Sequence, residues 1–351
     1  MGAIGDGRGR FFEDFRFGEE LRHTPSRTVT EADAALYAAL YGSRFPLHGA
    51  RTFAKSLGFD APPLDDLLVF HVVFGQSVAD VSRNAVANLG YAEGVFQAPV
   101  FAGDTLSARS TVIGLKENAN RKTGVVWIRT TGTNQHGRAV IEYARWVMVN
   151  KRDETAPAPA PVVPKLAPFV PADRLLPPEG VTLAGYDRAA SGDPRLWNDY
   201  GSGQRLDHVD GATVEEAEHM LATRLYRNTA RVHFNQHAEK DGRFGRRIVY
   251  GGHVLSHARA LSFNGLANAW RIAAINSGSH VAPTFAGDTL YAWTEVLEKI
   301  ALPGRADLGA LRLRTLALKD RDGADFPGRT AEGYDAAVVL DFDYTVLIPR
   351  R

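Results

Sequence analysis

Eleven histidines and no cysteine set the chemistry open to this chain. Without thiols there are no disulfides, thiolate zinc sites, cysteine nucleophiles or iron–sulfur clusters. Imidazole, carboxylate, hydroxyl and backbone amide remain, and of these imidazole titrates nearest neutral pH. His48 and His233 stand 185 residues apart, an interval that recurs below as the period of an internal repeat. His233 and His237 have i, i+4 spacing, but no third ligand completes a metal set and no metal is expected. His71, His253 and His257 sit in apolar stretches and read as core histidines. Cations that could grip an anion occur at Arg231, at Arg246 and Arg247, and at Arg121 and Lys122 within Asn120–Gly124; the planar fork of Arg suits a carboxylate. Lys plus Arg number 41 against 40 acidic residues, which gives no footprint for nucleic acid or an anionic membrane. No run of 18 apolar residues exists, and Met1–Arg10 lacks the apolar core of a signal peptide, so a cytoplasmic protein is expected, free of membrane.

Such residues need positioning, and the chain builds its positioning device twice. Ala98-Pro-Val-Phe-Ala-Gly-Asp-Thr-Leu106 returns as Ala282-Pro-Thr-Phe-Ala-Gly-Asp-Thr-Leu290, with one difference and an offset of 184. At an offset of 185, Leu21, His23, Leu36, Leu40, Tyr41 and His48 fall on Leu206, His208, Leu221, Leu225, Tyr226 and His233. Asn84, Ala87 and Asn88 fall on Asn264, Ala267 and Asn268 at 180. The chain is a duplicated module. Thr155–Pro178 holds eight of the 18 prolines; it cannot be helical and predicts an extended joint across the surface. The expected organisation is a module over 1–154, the joint over 155–178 and a second module over 179–351.

Within each module the pattern is the same. Thr28-x-x-Glu31 and Thr213-x-x-Glu216 read as capping boxes opening short helices over 28–41 and 213–226. Apolar stretches without proline, Leu67–Ser82 and Val254–Asn264, predict a buried central helix in each copy. Alternating, β-branched runs follow: 105–114, 124–133 and 139–149, then 289–297, 311–318 and 336–348. Asn134–Gly137 and Asp320–Gly323 mark turns between them. The fold class is α+β, an antiparallel sheet wrapped around an apolar helix in each copy.

This order, with Arg227-Asn-Thr-Ala-Arg-Val-His233 and then Phe244-Gly-Arg-Arg-Ile-Val-Tyr-Gly-Gly252, resembles the hotdog fold of MaoC-like (R)-specific enoyl-CoA hydratases over nearly the whole chain, as a tandem pair. Longer segments are similar to the mesaconyl-CoA hydratase (β-methylmalyl-CoA dehydratase) branch, found in the ethylmalonyl-CoA and related pathways: LYGSRF, DDLLVFHVVFG, NAVANLGYAEG, NRKTGVV, NTARVHFNQH and HVAPTFAGDTL. The resemblance implies reversible hydration of an α,β-unsaturated acyl-CoA with no cofactor beyond the CoA of the substrate. It also implies further association into homo-oligomers.

It implies roles as well. His233 matches the family's catalytic histidine, and the residue five before it, an Asp in the family, is Asn228 here. A carboxamide orients water but accepts no proton. Either His233 both takes and returns protons, or His237 or Glu239 supplies the missing group. Gly251 matches the glycine whose amide faces the thioester oxygen, with Gly252 beside it at the helix start. Arg231, Arg246 and Arg247 are candidates for the second carboxylate of such a substrate, and Arg246, Arg247, Arg121 and Lys122 for the CoA phosphates. In the first copy Ser43 and Phe45 replace the family's polar residues around His48, so the later copy is expected to hold the working site. Two other readings stay open at this point: a silent acyl-CoA-binding subunit and a hotdog thioesterase.

Overall fold

A computed structural model describes residues 9–351. Its two central helices are Asp66–Val81 and Gly251–Leu261. The first starts at Asp65, whose carboxylate accepts from the Leu67 amide at 2.9 Å, and almost every residue of it is buried. Around it run Glu20–Thr28, Thr105–Glu117, Thr123–Thr133, Ala139–Asn150 and Ala85–Phe96, in that spatial order. Around the second run Arg271–His280, Val338–Pro349, Leu308–Lys319, Thr289–Ala301 and Arg205–Asp207. The expected sheet-around-helix units are therefore both present, and the six expected strands all form.

The two units are joined edge to edge. Ala85–Phe96 pairs antiparallel with Arg271–His280, Tyr91 opposite Gly278 and Gly94 opposite Ile275, so one sheet of eleven strands runs through the molecule. Neither joining strand was signalled by the sequence, since Ala, Asn and Gly dominate 84–94 and disfavour strand. Packing overrides propensity here. A Cβ on Gly90 would come within 2.4 Å of the Trp146 ring, and one on Gly94 within 2.8 Å of Ile275.

The capping boxes need correction. The first α-helix among the described residues, Glu31–Tyr41, is capped by Thr30, which exchanges bonds with Asp33. Its counterpart, Glu216–Leu225, has no side-chain cap. Thr28 and Thr213 lie in strands, where each hydroxyl meets a threonine of the next strand, Thr105 at 2.7 Å and Thr289 at 2.8 Å. The repeated threonines are cross-strand pairs. The Gly-Asp-Thr repeat is a turn: Gly103 and Gly287 have φ of +100° and +97°, and Asp104 and Asp288 each accept from the amide three residues back at 2.9 Å.

Counterparts meet where the copies face each other. Tyr41 and Tyr226, 185 residues apart, share a hydroxyl–hydroxyl bond of 2.7 Å, and His71 Nε2 lies 2.9 Å from Ser256 Oγ, also 185 residues on. His253 bonds Tyr41 at 2.9 Å and His257 at 3.1 Å, so these histidines are core groups with polar partners. The proline-rich segment is extended except for one 3-10 turn, Ala172–Arg174, which follows Pro171 and departs from the expectation of a segment without helix. Val162 exchanges backbone bonds with Leu115, and the Val170 amide donates to Asn276 Oδ1 at 2.9 Å.

Candidate active site

His233 ends a single 3-10 turn, Arg231–His233. Its Nδ1 lies 3.0 Å from the Ile248 carbonyl; a carbonyl only accepts, so Nδ1 carries the proton and Nε2 keeps its lone pair. Burial holds the imidazole well below its usual range, to about 4, against the raising effect of that carbonyl. At neutral pH the ring is neutral, the form a general base needs.

Asn228 is buried on the preceding turn. Its Oδ1 accepts from the Ala230 amide at 3.0 Å, which commits the oxygen and leaves Nδ2 as the group a water molecule meets. Gly251 is the first residue of its helix, whose N-cap, Tyr250, provides no side-chain acceptor. Amides at a helix start have no acceptor within the helix and sit at the positive end of its dipole. His280 packs flat on this glycine: a Cβ at 251 would fall 2.4 Å from its ring. Tyr91, from the joining strand of the first module, lies 3.1 Å from His280 Nε2 through its hydroxyl. Burial, then the neighbouring His233, lowers His280 to about 4.

One cavity of about 350 Å³ collects these groups. Asn228, His233, Tyr250, Gly251 and His280 line it from the second module, and Phe74, Asn88, Tyr91 and Arg145 from the first. Of the residues singled out in the sequence, three thus come together. Gly252 packs beneath, against Tyr250 and His71. Arg231 is exposed and outside the cavity lining. Arg247 pairs with Glu216, Arg246 stacks over Phe285 at 3.8 Å, and Arg121 and Lys122 occupy an exposed hairpin tip with Lys122 near Glu154. His237 and Glu239 lie on the short helix Gln236–Glu239, outside the lining; the second imidazole beside the base is His280, not His237. Sequence reading missed His280, Tyr91, Arg145 and Asn88. A signal existed for His280: at the 184 offset its counterpart is Phe96, a position where the copies differ in chemistry.

The mesaconyl-CoA hydratase family model matches residues 5–333. The chain belongs to the mesaconyl-CoA hydratase family. Family members similar to it include a β-methylmalyl-CoA dehydratase of Chloroflexus aurantiacus, 62% identical over 98% of both chains, and a mesaconyl-CoA hydratase of Cereibacter sphaeroides, 56% identical over 97% of this chain and 98% of the relative. A crystal structure of a MaoC domain protein dehydratase from C. aurantiacus superposes with a TM-score of 0.97 at 61% identity, covering 99% of this chain and all of the other. A double-hotdog protein of Mycobacterium tuberculosis gives 0.78 at 26% identity over 99% of this chain and all of the other. The family fold is thus a double hotdog, and its continuous sheet is what brings first-module residues to the second module's cavity. Among the described residues, no helix is long and apolar enough to cross a membrane.

Proposed function

We propose that this member of the mesaconyl-CoA hydratase family adds water reversibly across the double bond of mesaconyl-CoA to give β-methylmalyl-CoA, acting as a hydro-lyase. The observation that carries the reading is the union, in one cavity, of a neutral imidazole with a free Nε2, a carboxamide donor and an uncapped helix start. Water held by Asn228 Nδ2 gives a proton to His233 Nε2 as its oxygen attacks the β-carbon. The thioester oxygen gains enolate charge at the Gly251 amide, where a fixed donor in a site sheltered from water is most effective. Because burial makes the His233 imidazolium a stronger acid than usual, it returns its proton readily to the α-carbon, and no separate carboxylate is required. His280, braced by Tyr91, holds the acyl chain against Gly251. The rim residues Arg243 and Phe244, with Arg246 on Phe285 behind them, offer positive charge to the CoA phosphates, and a cytoplasmic location agrees with a CoA-bound substrate.

Mixing purified protein with mesaconyl-CoA tests the reading. The enoyl-thioester absorbance should fall without release of thiol. Thiol release would instead indicate a thioesterase, and binding without either signal a silent subunit.

A further inference from the structure

Arg145 is fully buried on the strand Ala139–Asn150 and lines the cavity. Its Nη1 and Nη2 donate to Ser82 Oγ at 2.9 Å and Ser77 Oγ at 2.8 Å, and its guanidinium carbon lies 4.2 Å from the centre of the Phe74 ring. Its Nε has no partner, and among the described residues no carboxylate pairs with it. An enclosed cation without a counter-ion is costly. The neighbouring strand supplies a second unsatisfied group: both Asn88 Oδ1 and Asn88 Nδ2 are buried without a hydrogen bond, and Asn88 lines the same cavity. Tyr91 is directly opposite Arg145, and a bulge between Asn88 and Gly90 turns Asn88 to the same face. The counterpart of Asn88 in the other copy, Asn268, is fully engaged, donating to the Asp193 and Arg195 carbonyls at 2.6 Å and accepting from Tyr186.

We propose that Arg145 and Asn88 form the receptor for the free carboxylate of the substrate's acyl group, so that the first module reads the substrate's second acid while the second module does the chemistry. This rests on the reading of the cavity as the acyl site. Guanidinium Nε–H and carboxamide N–H together offer a carboxylate two donors and one positive charge. An enoyl-CoA ending in a methyl group would leave both groups unpaired, and a site built for polar contact discriminates strongly against such an analogue. Selectivity for an unsaturated dicarboxylic acyl group is therefore a property of the half that has no catalytic role.

The test compares kcat/KM for mesaconyl-CoA with that for 2-methylcrotonyl-CoA, in which methyl replaces the carboxylate. Wild-type protein should favour the dicarboxylic substrate. Arg145→Gln should lower the ratio of the two values by about 100-fold, mostly through KM for mesaconyl-CoA, and Asn88→Leu by about tenfold. Because Arg145 also ties the central helix through Ser77 and Ser82, its variant can fail to fold; Asn88→Leu then decides alone. Wild-type preference with an unchanged ratio in the folded variants overturns the receptor and leaves the hydratase reading intact. Wild-type protein inert toward both thioesters overturns the acyl-site reading and the receptor with it.

Discussion

The two central helices begin at equivalent positions, and what stands there separates the two halves. Gly251 opens the second, with amides free of any side-chain cap. At the same place, 185 residues earlier, Asp66 opens the first. Its carboxylate is buried, accepts from the Ile272 amide at 2.9 Å and lies 3.6 Å from Arg271. Burial raises its pKa even against Arg271. Where one copy leaves the amides of its helix start without a side-chain partner, the other has installed a carboxylate. The histidines, by contrast, are held alike: His48 Nδ1 bonds the Pro63 carbonyl at 3.0 Å, as His233 bonds Ile248, each fifteen residues on. On the proposed reading, a correctly held imidazole is not what makes a site. The remainder of the cavity is.

The sharpest way to break this comparison is to remove each histidine in turn. His233→Ala should lose about 10³-fold in kcat while His48→Ala stays within a few-fold, both read from the enoyl absorbance; equal losses would mean both copies work. Next, Gly251→Asp copies the first module's solution into the second and should lose roughly 10²-fold or more, with a drop in Tm because His280 must move. Asn228→Ala should cost about 10- to 100-fold. Asn228→Asp is the finer probe: a carboxylate beside His233 favours the imidazolium, so the acid limb of kcat/KM, expected near pH 4 in wild-type protein, should move upward. Smallest in activity is Asp66→Asn, which should leave turnover near wild type yet cost about 3 kcal/mol of stability by breaking a buried pair, measured by denaturant unfolding.

Stability has its own pH dependence. His71, His208, His233, His257 and His280 are lowered by burial to about 3 or 4. A depressed imidazole binds its proton more readily in the unfolded chain, so unfolding gains as pH falls from about 6.5 toward 4. Tm should be steady above pH 7 and decline through that window.

The duplication was legible, and with it the central helices and outer strands, because each carries a period or a run that survives in isolation. Yet the most faithful repeats turned out to be scaffolding. Gly103-Asp104 and Gly287-Asp288 form the same turn; His23 bonds Ser110 and His208 bonds Thr294, both at 2.7 Å, as matched braces in the two halves of the sheet. The cavity is written where the copies disagree: Gly251 for Asp66, His280 for Phe96, Asn228 for Ser43. The resemblance to the family motif located His233, Asn228 and Gly251, which lie close along the chain. Arg145, Tyr91 and Asn88 escaped because only the pairing of Ala85–Phe96 with its two neighbours brings them across, and that strand is spelled in residues that argue against a strand.

That seam between Ala85–Phe96 and Arg271–His280 makes the proline-rich tether a device for assembly rather than for cohesion. A protease nick within 155–161 of the folded protein should leave two fragments that migrate together and still turn over. Produced alone, the C-terminal fragment would carry a naked strand edge and a cavity open on one side, a species prone to self-pairing and unable to work.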